Sequence, residues 1–581
     1  MVSNEHQSVS FSSLSHTANN DSRPPETSWE ISAARKRDDR ANRLKPYAHW
    51  SLAELTPPQS HNNVIPLVHA RLTDRERSFL ASDVTDLAQR LATRECTALE
   101  VTTAFCKAAY AAQELTNCLT EVMFEQALGR AQELDEHIST SGKVVGPLHG
   151  VPISIKDHIS IKGEDTATGF VAWAGRTIAE EDATVVRILR QAGAIIYVKT
   201  TNPQSVFAFE TLSNIYGHTT NPYNRDLTPG GSSGGEAALA ACRGSLLGVG
   251  TDIGGSIRYA ADSITLLMHK LISMRTLEAR RHGVGSYKGM ENIVGVLGPM
   301  AHSARDLELF CRVISDYEPW TSDFSTLPIP WNSTIVQHGG NDKLVIGLFI
   351  DDGVVEPHPP IIERLNKTRE ALITAGHEVI DWVPMDHAQA FELISKLYLL
   401  DGGEAIRDIL TQSGEPAIPP IAQILPDPSK ANILTVSQSW DANYERDQFR
   451  ARALKHWNDT ALRSKSGRPV DAVLCPVAPT LAAPHGTTRW IGYTSYWNLL
   501  DLPAVVFPSG KPLQASSWAS ASHSPRDRPR NPFDEFVRAQ WNPETFDGAP
   551  VGLQLVGRRW QEEKLLAVLK HVEDAVARFE K

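Results

Sequence analysis

Two glycine–serine clusters and one lysine are the residues in this 581-residue chain whose types and spacing could do covalent chemistry. The clusters are Pro229-Gly230-Gly231-Ser232-Ser233-Gly234-Gly235 and Gly250-Thr251-Asp252-Ile253-Gly254-Gly255-Ser256-Ile257-Arg258. The lysine is Lys156, which closes the run Val151-Pro152-Ile153-Ser154-Ile155. A serine hydroxyl attacks a carbonyl only when a nearby base takes its proton. Lysine can be that base only if burial keeps it neutral. Val151, Ile153 and Ile155 are the pattern of a strand that would carry Lys156 into a core. The plainer reading is an exposed Lys156–Asp157 pair. Ile253-Gly254-Gly255-Ser256 offers consecutive backbone N–H groups to an oxyanion, and its glycines leave room for a substrate to approach.

Rival readings of the clusters weaken on their own terms. A P-loop needs Gly-Lys-Ser/Thr, which neither cluster contains, and a dinucleotide fingerprint starting at Gly248 would need glycine where Ile253 stands. Gly231-Ser232-Ser233-Gly234-Gly235 formally fits a nucleophile elbow, but the polar segment NPYNRDLTP precedes it instead of a buried strand. Glycines serving only turns and close packing explain one cluster well, but two clusters with an upstream lysine poorly.

The elements around these residues read as a layered α/β protein. After the N-cap candidate Thr97, apolar residues recur at three- and four-residue intervals through two helical stretches. From Val151 onward short apolar runs predict buried strands at 151–157, 194–201, 245–252, 343–351, 377–384, 471–480, 503–510 and 550–557. Helical patterns at 182–193, 359–375, 387–411, 437–463 and 561–579 alternate with them or follow. Strands alternating with helices imply a mixed sheet covered on both faces. Residues 1–45 read as a disordered or poorly packed tail, and the Ser/Pro/Arg-rich stretch 509–547 as a surface loop.

In order and content, GPLHGVPISIKD (146–157), TNPQS (201–205), PGGSSGGEAALAA (229–241) and GTDIGGSIR (250–258) resemble the amidase signature family. The resemblance runs from about residue 70 to 580, lapses over 263–285, and is nearest the fungal acetamidase and general amidase branch. It implies one amidase domain over 46–581: a helical part at 70–140, a signature core at 145–260, the divergent segment 263–285 and a C-terminal part at 286–581. It further implies a Ser–cisSer–Lys triad, with Ser256 as nucleophile, Ser232 as bridging residue and Lys156 as base. Ser233, Asp252 and Arg258 match supporting positions, and Val206 matches a position lining the acyl pocket. His149 and His158, which flank Lys156, read as hydrogen-bonded structural residues.

The expected activity is hydrolysis of a carboxamide, with a small amide such as acetamide as the substrate by analogy. Two alternatives stay open: an inactive amidase-fold protein with a binding or structural role, and an amidotransferase subunit. Neither a cofactor nor a metal is expected, since no His/Asp/Glu cluster stands at ligand spacing. The net charge of −11 argues against nucleic acid as a partner. A homodimer is plausible by resemblance. Six scattered cysteines without a CxxC pair, together with no long apolar run and no signal peptide, fit a cytoplasmic protein without a membrane span.

Overall fold

Strands covered on both faces are apolar along their whole length, because successive side chains point to opposite sides. Each of the eight apolar runs contains a strand in the computed structural model, which describes residues 29–53, 62–264, 267–270, 289–338, 343–518 and 528–581, although the strand within 377–384 lies at the sheet edge and is only partly covered. The strands are β1 (Leu119–Val122), β2 (Pro152–Lys156), β3 (Ile195–Thr200), β4 (Leu212–Ser213), β5 (Gly217–His218), β6 (Leu247–Asp252) and β7 (Leu267–Lys270). They continue as β8 (Val296–Ala301), β9 (Val345–Leu348), β10 (Glu378–Asp381), β11 (Ala472–Pro476), β12 (Ala504–Pro508) and β13 (Gly552–Val556).

Eleven strands join one sheet in the order β1-β3-β2-β6-β8-β7-β12-β13-β11-β9-β10, while β4 and β5 form a separate hairpin. The pairs β3–β2, β2–β6, β11–β9 and β9–β10 are parallel, and the other pairs are antiparallel. Parallel neighbours need a crossover, and helices Thr184–Gln191, Gly234–Ala241 and Pro359–Thr374 lie in those connections. The fold is therefore α/β with a mixed sheet. Every residue of β2, β3 and β6 is buried, so both faces of this part of the sheet are covered. Ser154 pairs with Gly248 and Ile155 with Val249, which brings Lys156 beside the C-terminal end of β6. The ends of parallel strands are where such sheets place their sites.

Three stretches depart from expectation. Residues 29–44, assigned to the tail, form a helix (Trp29–Leu44). Its polarity suggested disorder, yet its charges meet partners: Lys36 Nζ lies 2.6 Å from Glu121 and 3.1 Å from Asp165, and Arg40 donates to the Leu119 carbonyl at 2.6 Å. Residues 1–28 lie outside the described residues. Within 509–547 a helix spans Pro532–Gln540, with Asn531 as N-cap accepting from Phe533 and Asp534 N–H. The Asn-Pro pair is its sequence signal. The pattern at 387–411 divides into helices His387–Tyr398 and Glu404–Ser413, with Gly402 and Gly403 between them. In the divergent segment, β7 pairs with β8 and β12, and 265–266 and 271–288 lie outside the described residues. Thr97 caps its helix through a reciprocal pair with Glu100.

Candidate active site

Strand alternation decides the surroundings of Lys156. Ile153 and Ile155 point to one face of β2, and Ser154 and Lys156 to the other. On that second face Ser154 donates to Glu236 of helix Gly234–Ala241 at 2.6 Å. Lys156 is fully buried. Its Nζ lies 2.7 Å from Ser232 Oγ, 3.0 Å from Ser233 Oγ and 2.9 Å from Thr251 Oγ1. Burial drives its pKa well below 10.5, although Asp252, Glu236 and Asp157 pull the other way. A neutral amine donates two hydrogen bonds and accepts one. Three hydroxyls match that capacity, and the lone pair can take a hydroxyl proton.

The two glycine–serine clusters meet across this lysine. Gly231–Ser232 is a cis peptide, and Ser233 N–H donates to the Ser256 carbonyl at 3.2 Å. After β6 the chain turns sharply through Ile253–Ser256, and the Asp252 carboxylate holds the turn. It accepts from Gly255 N–H at 2.9 Å, Ile257 N–H at 3.3 Å and Asn498 Nδ2 at 2.8 Å. Arg258, fully buried, binds both carboxylate oxygens at 3.1 Å and reaches Asn498 and Gln554. Paired and hydrogen-bonded on every side, this buried charge pair fixes the loop instead of burdening it. Tyr398 donates to the Ile253 carbonyl at 2.6 Å and Thr494 to the Gly254 carbonyl at 2.8 Å. With those carbonyls tied back, the turn cannot reverse its amides.

One expected donor drops out. Gly255 N–H is committed to Asp252, so the amides left for an oxyanion are those of Ile253, Gly254 and Ser256. The reason to have glycine at 255 is conformational: its φ is +131°, and a Cβ there would lie 2.2 Å from Thr494 Oγ1.

Ser256, Ile253 and Gly254 border a cavity of about 320 Å³. Val206, Phe209, Phe391, Tyr398, Leu399 and Phe533 give it a mainly apolar wall, while Glu210, Arg489 and Gln423 add polar groups. Val206 borders the same cavity as Ser256, held in a left-handed conformation (φ 59°) that a β-branched residue rarely adopts.

The structure thus brings Lys156, Ser232, Ser233, Ser256, Asp252 and Arg258 into one cluster. Several partners went unassigned from sequence. Thr251 was within the quoted motif, but its contact with Lys156 follows only from the β2–β6 register. Gln554 was legible as the lone polar residue inside the apolar run PVGLQLVG, whereas Asn498 stands among other polar residues in TSYWNLLDL and carries no such signal. Phe391 and Phe533 come from helices whose faces sequence could not orient. His149 Nδ1 accepts from Val145 N–H at 3.2 Å, as a structural histidine would. His158 differs: its Nδ1 is buried without a partner, and burial pushes its pKa well down, so it is neutral. All six cysteines are buried, and none forms a disulfide. Among the described residues no helix is long and apolar enough to cross a membrane.

Comparison with known proteins places these features in context. A family model described as Amidase matches residues 100–566. An acetamidase of Emericella nidulans is 37% identical over 555 residues, which cover 94% of this chain and 98% of the relative. An acetamidase of Aspergillus oryzae is 37% identical over 556 residues, covering 94% and 99%. Among solved structures, a fatty acid amide hydrolase superposes with a TM-score of 0.87 at 31% identity, covering 94% of this chain and 95% of that one.

Proposed function

This chain belongs to the amidase family and is an amide-hydrolysing enzyme; on that premise we propose that Ser256 attacks the carboxamide and passes through an acyl-serine intermediate. One observation carries the proposal: a fully buried Lys156 amine stands 2.7 Å from Ser232 Oγ, in the cluster whose Ser256 accepts from Ser233 N–H and borders the cavity. As Ser256 Oγ bonds to the carbonyl carbon, its proton passes to Ser232, whose own proton passes to the Lys156 lone pair. The carbonyl oxygen becomes an oxyanion, held by the amides of Ile253, Gly254 and Ser256. The same relay returns the proton to the nitrogen as the C–N bond breaks and ammonia or an amine leaves. Water then adds to the acyl carbon, losing its proton through Ser232 to Lys156; the bond from Ser256 Oγ to that carbon breaks, the relay returns the proton to Ser256 Oγ, and the released acid ionises to a carboxylate in solvent.

The cavity supports a substrate larger than acetamide. A site of about 150 Å³ suffices for benzene, and about 320 Å³ lined by phenylalanines suits an aryl or medium-length alkyl acyl group. Six buried thiols, none in a disulfide, support a reducing, cytosolic setting.

The test is fluorophosphonate labelling with ammonia release from acetamide, hexanamide and benzamide. The wild type is expected to label and to favour the larger amides. Ser256→Ala should keep its fold and lose both signals. Normal turnover in Ser256→Ala would refute the assignment. A folded wild-type protein that neither labels nor hydrolyses any amide would favour the inactive alternative.

A further inference from the structure

The fold gathers three metal-ligating side chains that the sequence keeps far apart: Glu210, His218 and His485. A carboxylate oxygen of Glu210 and one ring nitrogen from each histidine lie within 4.8 Å of one another. His485 Nδ1 is 2.7 Å and His218 Nδ1 3.2 Å from the same oxygen, Glu210 Oε1. The cluster is firmly mounted. Glu210 and His218 flank the β4–β5 hairpin, in which Leu212 pairs with His218. The His485 loop is pinned by the Thr228 N–H donating to the Ala483 carbonyl at 2.8 Å and by the Leu227–Pro484 bridge. The second oxygen, Oε2, accepts from Gly486 N–H at 2.7 Å.

His485 carries the argument. Its Nδ1 faces a carboxylate, and its Nε2 lies 3.3 Å from the Arg225 carbonyl. Both neighbours only accept. A neutral imidazole has one N–H, so one of these contacts sets lone pair against lone pair. A cation bound at Nδ1 resolves the conflict: Nε2–H then donates to the carbonyl, the arrangement that orients metal-bound histidines. Gly486 N–H orients the carboxylate in the same way.

From this juxtaposition we propose that Glu210, His218 and His485 form a binding site for a divalent transition-metal ion of the zinc class. Ligand bonds of about 2.0–2.1 Å in a tetrahedron separate ligand atoms by about 3.3 Å. The 2.7 and 3.2 Å edges to Glu210 Oε1 need to open by some tenths of an ångström, and the third edge, between the two histidine nitrogens, lies within 4.8 Å. His218 is half-exposed, which gives the ion an entry path. Three protein ligands leave coordination positions open, and Glu210 and Gly486 both line the cavity that holds Ser256. The ion therefore stands at the wall of the substrate cavity. No covalent or redox step is involved.

The experiment uses the full-length protein, stripped with a chelator and titrated with Co²⁺, whose visible spectrum reports nitrogen and oxygen coordination below six ligands. One Co²⁺ per chain with an intense band, displaced by Zn²⁺, is expected. Loss of an orienting partner typically costs 10–100-fold in affinity. Loss of a ligand in His218→Gln or His485→Gln should therefore weaken binding at least about 100-fold. His571→Gln, which alters the remote His377–His571 pair, should leave binding unchanged. Folding of each variant is checked by its melting curve; His218→Gln, altering a half-exposed side chain, retains the test if His485→Gln fails to fold. A featureless spectrum, or binding that survives both ligand substitutions, overturns the proposal and leaves a protonated His485 as the resolution of the conflict.

Discussion

Replacing Lys156 with methionine separates what the buried amine costs from what it does. Methionine has similar volume and no amine, so packing changes little. Burial has driven the lysine pKa well below its unfolded value of 10.5. Between those two values the unfolded chain binds a proton that the folded chain does not, so wild-type stability rises with pH across that window. Each pH unit inside it is worth about 1.4 kcal/mol. At pH 7.5, three units below 10.5, the penalty on the folded wild type is at most about 4 kcal/mol. Against this stand three hydroxyl contacts, each contributing about 1 kcal/mol. Lys156→Met is therefore expected to fall below the wild type near pH 10 and to gain on it, then overtake it, as the pH falls. Thermal melts of both proteins from pH 6 to 10 read this directly, because groups common to both cancel in the difference. In a chain of this size about 1 kcal/mol moves the midpoint by no more than about 2 °C, so a drift of several degrees with a change of sign is the signature. Amide turnover should fall by roughly three to four orders of magnitude in the same variant. A stability gap that is constant with pH, or that shifts in favour of the variant as pH rises, would show that the amine is not buried in neutral form.

Two further substitutions probe the loop and the cavity. Gly255→Ala places a methyl 2.2 Å from Thr494 Oγ1 at a φ of +131°; turnover should fall at least about 100-fold, the scale of one displaced oxyanion donor. Adding Thr494→Gly should restore only part of it, since the strained φ remains, and full recovery would contradict the conformational argument. Val206→Phe narrows the cavity beside Ser256. It should lower kcat/KM for benzamide by about tenfold or more, the scale of one to three kcal/mol for a filled pocket, and change acetamide less. Equal losses on both would remove Val206 from the substrate wall.

Much of this architecture is legible in the residues themselves. Apolar runs bounded by glycine and proline identify strands because a strand buried on both faces leaves no room for polar side chains. Thr97 with Glu100 marks a helix start because the reciprocal cap is a local event. Composition misled at 29–44, where arginines and Lys36 read as solvated yet meet Glu121, Asp165 and the Leu119 carbonyl, partners distant in sequence. It misled again at 532–540, where a helix sits inside a Ser/Pro/Arg-rich stretch.

The sequence by itself determined eight of the 13 strands among the described residues, the two glycine–serine clusters and the lysine that could serve them, since these depend on local pattern and residue type. Only the tertiary structure decided that Lys156 stands among three hydroxyls instead of in solvent, that Gly255 gives its N–H to Asp252, and that Glu210, His218 and His485 converge. Those outcomes rest on strand register and on loops closing across the sheet. Register is set by pairing between segments far apart in the chain, so no local run of residues encodes it alone.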